Sequence, residues 1–275
     1  MLDLFISAQN NVDVIEAEFK SACVAAGPGQ AEVMGRFAAW VEKESTISIN
    51  VSLSVVISLL NGHRHQNIYE WAAEESRLTH RTMDSILRER LKRFYERRLM
   101  FDHAFEQGER FRYAALNAGG AGLPQYKAYC MVMSRVYESA LTQTAYWDGD
   151  SLEICLLSDG TLDPGIVVHR AVPRSHRQWL VAKERVSEMR SVQETDWSKL
   201  VIASDKYFEV VFIGDVSLGS LESVRIPASE QDRMWDMAFG SFGAVHGPAE
   251  RAVLDDFIKL NQASTNGRIK LEVLA

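Results

Sequence analysis

The first third of the chain carries apolar residues at helical spacing. Apolar positions recur at intervals of three and four residues over 11–25 and again over 31–43, which predicts two amphipathic helices. From residue 68 to about 105 the pattern is helical throughout, with a break near Thr79 that divides it into two helices. The N-terminal part is therefore expected to be mainly helical.

The segment Ile47 to Leu60 has two interpretations. Ile47, Ile49 and Val51 alternate with polar residues, as in a strand with one buried face. The apolar cluster that begins at Val55 breaks this alternation and allows a helix over the second half of the segment. Periodicity leaves both readings open.

After Gly108 the pattern changes to short apolar runs bounded by turn residues, and each run is typical of a strand. The predicted strands cover residues 111–116, 128–134, 152–157, 166–172, 207–213 and 268–273. Helices are expected at about 178–190, 228–238 and 248–262. The sequence thus predicts an α+β protein in two parts. A helical part, 1–108, packs on an α+β part, 109–275, whose mixed, largely antiparallel sheet has flanking helices.

The net charge of the chain limits the kinds of partner that it can bind. The 275 residues carry a net charge of -7, which argues against a protein that coats nucleic acid or an anionic membrane. The segment from Arg88 to Arg98 is locally basic, with Phe94 and Tyr95 among its cations. Nucleic-acid binding by this helical segment is therefore a hypothesis beside the two given below. The expected partner is a small anionic ligand or another protein.

The cysteines and the termini indicate a cytoplasmic protein. Cys23, Cys130 and Cys155 are few and lack CxxC spacing, so neither a disulfide framework nor a zinc knuckle is expected. The N-terminus has no basic segment before an apolar stretch, and the longest apolar-biased run is shorter than the roughly 20 residues of a membrane span. We expect no signal peptide and no membrane association.

The segment from Asn117 to Tyr126 contains three glycines within four residues, between two predicted strands. Gly119, Gly120 and Gly122 permit backbone conformations and close approaches that a Cβ atom would prevent. Such a loop can direct several N–H groups toward a phosphate or carboxylate, although neither GxGxxG nor a P-loop ending is present. The alternative is a wide connecting loop without a ligand.

A second candidate is the basic turn that follows the run 166–172. Its arginines supply forked donors suited to phosphate, and a histidine can carry a proton near neutral pH. The residues concerned are His169, Arg170, Arg174, His176 and Arg177. The alternative is an exposed basic turn paired with acidic neighbours. His63 and His65 lie two residues apart without a further ligand pattern, so no metal site is expected.

Two short strings resemble ADP-ribosyltransferases, in which a strand-borne arginine contacts NAD and a later glutamate opens a strand and supports transfer. The strings are Val168-His169-Arg170 and Leu221-Glu222-Ser223-Val224-Arg225-Ile226-Pro227. The resemblance implies that Arg170 contacts the ligand and that Glu222 is catalytic. The sequence departs from the pattern because Val224 replaces the usual second glutamate and no Ser-Thr-Ser strand lies between the strings. No family is assigned on this basis.

These observations lead to one functional hypothesis and one rival. The first is an enzyme or binding protein that acts on a phosphate-bearing small molecule, such as a nucleotide, with no cofactor specified. Its predicted catalytic residues are His169, His176 and Glu222, and its predicted ligand-binding residues are Gly119, Gly120, Gly122, Arg170, Arg174 and Arg177. The rival is a non-catalytic protein-interaction module, such as an immunity or defence-associated partner, because no complete catalytic motif is present.

Overall fold

A computed structural model describes residues 1–203, 206–240 and 247–274. Its strands form one mixed sheet in the order β4-β5-β2-β1-β3-β6-β7. Their bounds are β1 Thr46–Val51, β2 Arg112–Asn117, β3 Tyr129–Met133, β4 Thr144–Asp148, β5 Phe208–Phe212, β6 Leu221–Pro227 and β7 Leu271–Leu274. The pairs β1–β3, β2–β5, β3–β6 and β4–β5 are antiparallel, and β6 pairs with β7 in parallel. The predicted α+β fold is confirmed.

Helices dominate the N-terminal part, as the apolar spacing predicts. Before β2 they are α1 Leu4–Asn10, α2 Val12–Ala26, α3 Pro28–Glu44, α4 Leu53–Leu60, α5 Ile68–Thr79, α6 Met83–Leu91 and α7 Tyr95–Ala104. After β2 they are α8 Arg135–Ala140, α9 Ser151–Ile154, α10 Gly165–Arg170, α11 Arg177–Glu184, α12 Ser198–Val201, α13 Ala228–Trp235 and α14 Pro248–Thr265. In the described ranges, no helix combines the length and the apolar character that crossing a membrane requires.

Strand β1 joins the two predicted parts of the chain. The segment 47–60 divides as its two halves suggest, because the alternating half forms β1 and the apolar cluster forms α4. β1 lies between β2 and β3 in the middle of the sheet. Residues on both sides of Gly108 therefore contribute to one sheet, and seven of the α-helices in the described ranges precede that glycine while seven follow it.

Two predicted strands, 152–157 and 166–172, are wrong. Residues 151–154 form α9 because the Asp150 carboxylate caps the helix, accepting a hydrogen bond from the Leu152 N–H at 2.8 Å. Residues 165–170 form α10, whose Val167 is fully buried in a small apolar core. A short apolar run fits either a buried strand or a buried helical turn, so spacing alone does not separate them.

The two faces of the sheet are covered differently. One face packs against α3, α4, α11 and α14 through a large core that includes Ile47, Ile49 and Met131. The other face packs against α1, α7, α9 and α10 near β4 and β5, around Trp147 and Val211. Side chains alternate between the faces along a strand, so Ser48 and its neighbours in β1, β3 and β6 bring polar groups to this second face.

Candidate functional site

A cavity of about 240 Å³ opens on the second face of the sheet, and we call it the sheet-face cavity. Ligand sites typically measure about 300–1,000 Å³, so this one suits a small metabolite or part of a larger one. Strands β1, β2 and β5, helix α7 and the loop after β2 all contribute to it. Its lining residues are Ser48, Ile49, Asn50, Arg98, Tyr113, Ala114, Ala115, Leu123, Tyr126, Asp150, Tyr207 and Glu209.

The glycine-rich loop forms one wall of the sheet-face cavity. Asn50 holds the loop to the sheet, since its Nδ2 donates to the carbonyls of Ala121 and Lys127 and its Oδ1 accepts from the Leu123 N–H at 2.7 Å. Gly122 has φ +68°, and a Cβ atom there would lie 2.1 Å from Asn50 Oδ1. Glycine is required at this position because the loop passes so close to the asparagine.

The loop's polar backbone is partly used within the loop itself. Asn117 Oδ1 accepts from the Gly120 N–H, and Asn117 Nδ2 donates to the Gly120 carbonyl, both at 2.9 Å. The N–H groups of Gly120 and Leu123 are therefore engaged by asparagine side chains rather than directed at a ligand. The loop's contribution to the cavity lining comes from Leu123 and Tyr126. Ligand binding by Gly119, Gly120 and Gly122 themselves stays a prediction.

Glu209 is the most perturbed acid of the sheet-face cavity. It lies in the middle of β5, opposite Ala115 on one side and Trp147 on the other, and is only 5% exposed. Its Oε2 accepts a hydrogen bond from the Ser151 N–H at 2.8 Å. Burial raises the pKa of Glu209 to about 7, with a further contribution from the charge of Asp150. Glu209 can therefore gain or lose a proton near neutral pH.

Two tyrosines and a carboxylate form the outer part of the cavity. The Tyr207 hydroxyl donates to Asp150 Oδ2 at 3.0 Å, and the hydroxyls of Tyr126 and Tyr207 are 3.3 Å apart. Burial and the nearby charges of Glu209 and Asp150 raise the pKa of Tyr207. The Tyr207 phenol is therefore neutral at physiological pH and acts as a donor. Tyr126 is 54% exposed, so its ring borders the mouth of the cavity.

Among the described lining residues Arg98 is the one cation, and it lies close to a buried acid. The Arg98 guanidinium lies 3.7 Å from the centre of the Tyr113 ring, and its Nη1 is 3.8 Å from Asp102 Oδ1. Asp102 is fully buried and accepts hydrogen bonds from the hydroxyls of Tyr69 and Tyr113. Burial raises the pKa of Asp102 to about 6. With Arg98 facing Asp102, the cavity mainly presents the carboxyl groups of Asp150 and Glu209.

The predicted pair His169 and Arg170 lines a different cavity of about 310 Å³, between α2, α10 and α11. We call it the α2–α11 cavity. Its other charged lining residues are Glu18, Asp148, Lys183 and Glu184. Lys183 Nζ lies 2.7 Å from both Glu18 and Glu184, so most of this charge is already paired. Both His169 and Arg170 belong to α10 rather than to a strand, which corrects the strand prediction for these residues.

Arg174 and Arg177 are used to hold the fold together. Arg177 is 3% exposed, and its guanidinium donates to the carbonyls of Arg174, Glu42 and Ser45. Arg174 Nε lies 3.3 Å from a carboxylate oxygen of Glu138, which is itself fully buried. Neither arginine is among the residues that line the α2–α11 cavity or the sheet-face cavity.

The two remaining predicted catalytic residues lie apart from each other. His176 packs edge-on against Trp179, with its Nε2 3.8 Å from Glu16. Glu222 is exposed on β6, whereas α10, which carries Arg170, packs against β4. β4 and β6 are five strand spacings apart in the sheet order, which is about 24 Å. Arg170 and Glu222 therefore do not form the arginine and glutamate pair of the ADP-ribosyltransferase resemblance.

Sequence reasoning missed Arg98, Tyr207 and Glu209. One local signal exists for Glu209, a single acid in the centre of the apolar run 207–213. A charged residue at such a position is buried with the strand, and it indicates either a buried ion-pair partner or a functional site. Arg98 carries no such signal, since it follows a run of exposed basic residues on the same helices.

Among the described residues, no cluster of three or more histidine, cysteine, aspartate or glutamate side chains has a geometry suited to a metal ion. Comparison of the chain with models of protein families gives no match, and comparison with curated proteins also gives none. The chemistry of the site must therefore be argued from its own residues.

Proposed function

We propose that this protein is an enzyme or binding protein for a small molecule held in the sheet-face cavity, and that Glu209 exchanges a proton with that molecule. The observation that supports this proposal is a buried carboxyl group on a cavity, with its pKa raised to about 7. Buried acids with perturbed pKa values cluster at functional sites, and a group that titrates near the working pH is suited to acid–base chemistry.

The surrounding groups suit recognition of a polar molecule with hydrogen-bond donors. Asp150 and Glu209 offer carboxylate oxygens, and the rings of Tyr126 and Tyr207 offer apolar surface with neutral hydroxyls. Tyr207 is fixed by its hydrogen bond to Asp150, so its hydroxyl is oriented before a ligand arrives. A rigid, mainly apolar cavity with a few convergent polar groups is typical of small-molecule sites.

The experiment is a thermal-shift screen of the purified protein against small polar metabolites, because a ligand that binds the native state raises its melting temperature. We expect a compound that stabilises the wild type and loses most of its effect with Glu209→Gln and with Tyr207→Phe. Arg170→Ala is the control, since this exposed side chain lines the other cavity. A ligand that is equally effective on Glu209→Gln and Tyr207→Phe would contradict the proposal.

A second candidate is the anion site expected from the sequence, at the α2–α11 cavity. Its support is that His169 and Arg170 line the cavity and that, within the described part of the chain, neither forms an ion pair or a side-chain hydrogen bond. Three carboxylates line the same cavity and disfavour a phosphate. Phosphate-bearing compounds whose thermal shift is lost with Arg170→Ala, but kept with Glu209→Gln, would favour this candidate.

The protein-interaction module remains the rival function. It would be favoured if no compound in the screen changed the melting temperature and a pulldown recovered a stable protein partner. Turnover of a small molecule without such a partner would exclude it.

A further inference from the structure

A second opening, with a volume of about 610 Å³, borders the glycine-rich loop on the side of helices α5 and α6, and we call it the basic groove. Its lining residues are Trp71, Glu75, Arg81, Ile86, Glu89, Arg90, Lys92 and Lys127. Arg81 pairs with Glu89 at 2.5 Å. In the ranges that the structure covers, Lys92 and Lys127 form no ion pair. The lining carries four basic and two acidic side chains, so positive charge is in excess in this groove.

The basic groove and the sheet-face cavity share the loop between them. Tyr126 lines the sheet-face cavity, and the next residue, Lys127, lines the basic groove. Consecutive Cα atoms are about 3.8 Å apart, so the two openings meet the same short stretch of the loop. The Lys127 carbonyl accepts a hydrogen bond from Asn50 at 2.8 Å, which fixes this part of the loop.

The two openings have complementary chemistry. The sheet-face cavity offers carboxylate acceptors and tyrosine rings, which suit a flat, amino-bearing ring. The basic groove offers ammonium groups, which suit a phosphate. A nucleotide whose base carries an exocyclic amino group has both features in one molecule, and they are joined by a ribose.

We propose that the ligand of the sheet-face cavity is a nucleotide with an amino-bearing base, held by Asp150 and Glu209, and that Lys92 and Lys127 in the basic groove bind its phosphates. This inference rests on the proposed function, because the base occupies the cavity defined there. The basic residues that matter are thus those bordering the loop, not those of the turn at 169–177.

The backbone at Lys92 is consistent with a ligand-binding role. Its φ of 50° and ψ of -122° place a residue with a Cβ atom in a sparsely populated conformation. Such conformations concentrate at ligand sites. The strained turn directs the chain from α6 toward α7, whose Arg98 lines the sheet-face cavity.

The test is calorimetric titration of the full chain with adenosine, AMP, ADP, UMP and inorganic phosphate. We expect ADP to bind at least about tenfold more tightly than adenosine, and UMP to bind at least about tenfold more weakly than AMP, because uracil lacks an amino group. The double variant Lys92→Ala/Lys127→Ala should bind adenosine as the wild type does and lose the tenfold gain. The matched control is Arg93→Ala/Arg97→Ala, which removes two exposed cations outside both openings and should keep the gain.

The outcomes separate this inference from the proposed function. If ADP keeps its advantage in Lys92→Ala/Lys127→Ala, or if UMP binds as well as AMP, the nucleotide assignment is wrong. If adenosine, AMP and ADP all fail to bind, while another compound stabilises the wild type but not Glu209→Gln, the assignment is wrong and the proposed function stands. If no compound stabilises the protein through Glu209, both are overturned.

Discussion

The sheet-face cavity and the α2–α11 cavity are of similar size, but they differ in how their charged side chains are compensated. In the α2–α11 cavity, Lys183 lies between Glu18 and Glu184, so most charge is neutralised in ion pairs. In the sheet-face cavity, Glu209 is buried near a second carboxylate, and its pKa rises as a result. Within the local run of arginine and histidine, Arg174 and Arg177 therefore hold the fold together, whereas an isolated acid in an apolar strand marks the candidate site.

Because the charged residues of the two regions are compensated differently, their removal should change the free energy of unfolding in opposite directions. A buried ion that satisfies carbonyls and a carboxylate stabilises the fold, so removing it should destabilise the protein. A buried acid whose pKa is raised by burial destabilises the fold when it is ionised, so neutralising it should stabilise the protein at the expense of function.

The largest expected effect is that of Arg177→Ala. This change leaves three carbonyls without their buried donor, removes the positive charge 4.0 Å from the Glu138 carboxylate, and should lower the free energy of unfolding by about 3–5 kcal/mol. Urea denaturation measures the loss. The control is Arg174→Ala, whose side chain is 34% exposed and whose loss should cost about 1 kcal/mol. A smaller loss for Arg177→Ala than for Arg174→Ala would contradict the structural role assigned to Arg177.

The second effect concerns the glycine-rich loop. Gly122→Ala introduces a Cβ atom 2.1 Å from Asn50 Oδ1 at a positive φ, so the loop must move away from the sheet. We expect the free energy of unfolding to fall by about 3 kcal/mol. We also expect ligand binding in the sheet-face cavity to be lost. Gly120→Ala is the matched control, since its Cβ would meet only ordinary contacts at 3.5 Å or more. Equal stability of the two variants would show that the loop does not depend on this close approach.

The third effect is a pH dependence that belongs to Glu209. Its folded pKa of about 7 lies above the ordinary value of 4.5, so between these pH values the folded state binds more protons than the unfolded state. Stability contributed by the protonated carboxyl is present at low pH and lost as the pH rises toward 7. The loss should amount to at most about 3 kcal/mol.

Glu209→Gln removes this dependence, so the free energy of unfolding of the variant should rise relative to that of the wild type as the pH increases from 4.5 to 8. Asp102, whose pKa is raised to about 6, contributes a similar slope at lower pH in both proteins, and the difference between them isolates Glu209. Denaturation curves at pH 4.5, 6 and 8 measure it. Parallel pH profiles for wild type and variant would mean that folding does not raise the pKa of Glu209 and that the residue has no special role.

Most of the fold could be predicted from spacing, because long amphipathic helices and alternating strands leave periodic signals. In the ambiguous segment 47–60, the alternating half formed strand β1 and the apolar cluster formed helix α4. The errors at 152–157 and 166–172 are short apolar runs, where a cap such as Asp150 decides the structure. The charge and glycine patterns were less informative about the site. Arg177 stabilises the fold through buried hydrogen bonds, and Gly122 allows the loop to pass close to Asn50.

The sheet-face cavity could not be predicted in the same way. Its residues lie between positions 48 and 209, and the sheet order that brings them together is not encoded in any local pattern. Ser48 and Asn50 appeared as the polar side of an alternating strand, which normally faces water. In the structure the glycine-rich loop covers that side, so a polar strand face became the floor of a cavity.

The smallest expected effect is that of Arg170→Ala, and it tests the comparison of the two cavities most directly. Arg170 is exposed at the end of α10, so its removal should change the free energy of unfolding by less than about 0.5 kcal/mol. It should also leave ligand binding in the sheet-face cavity unchanged. Denaturation and ligand titration of Arg170→Ala, beside His169→Ala, measure both quantities. If Arg170→Ala abolished binding while Glu209→Gln did not, the local basic pattern would mark the site after all, and the buried acid would be a structural feature of the sheet.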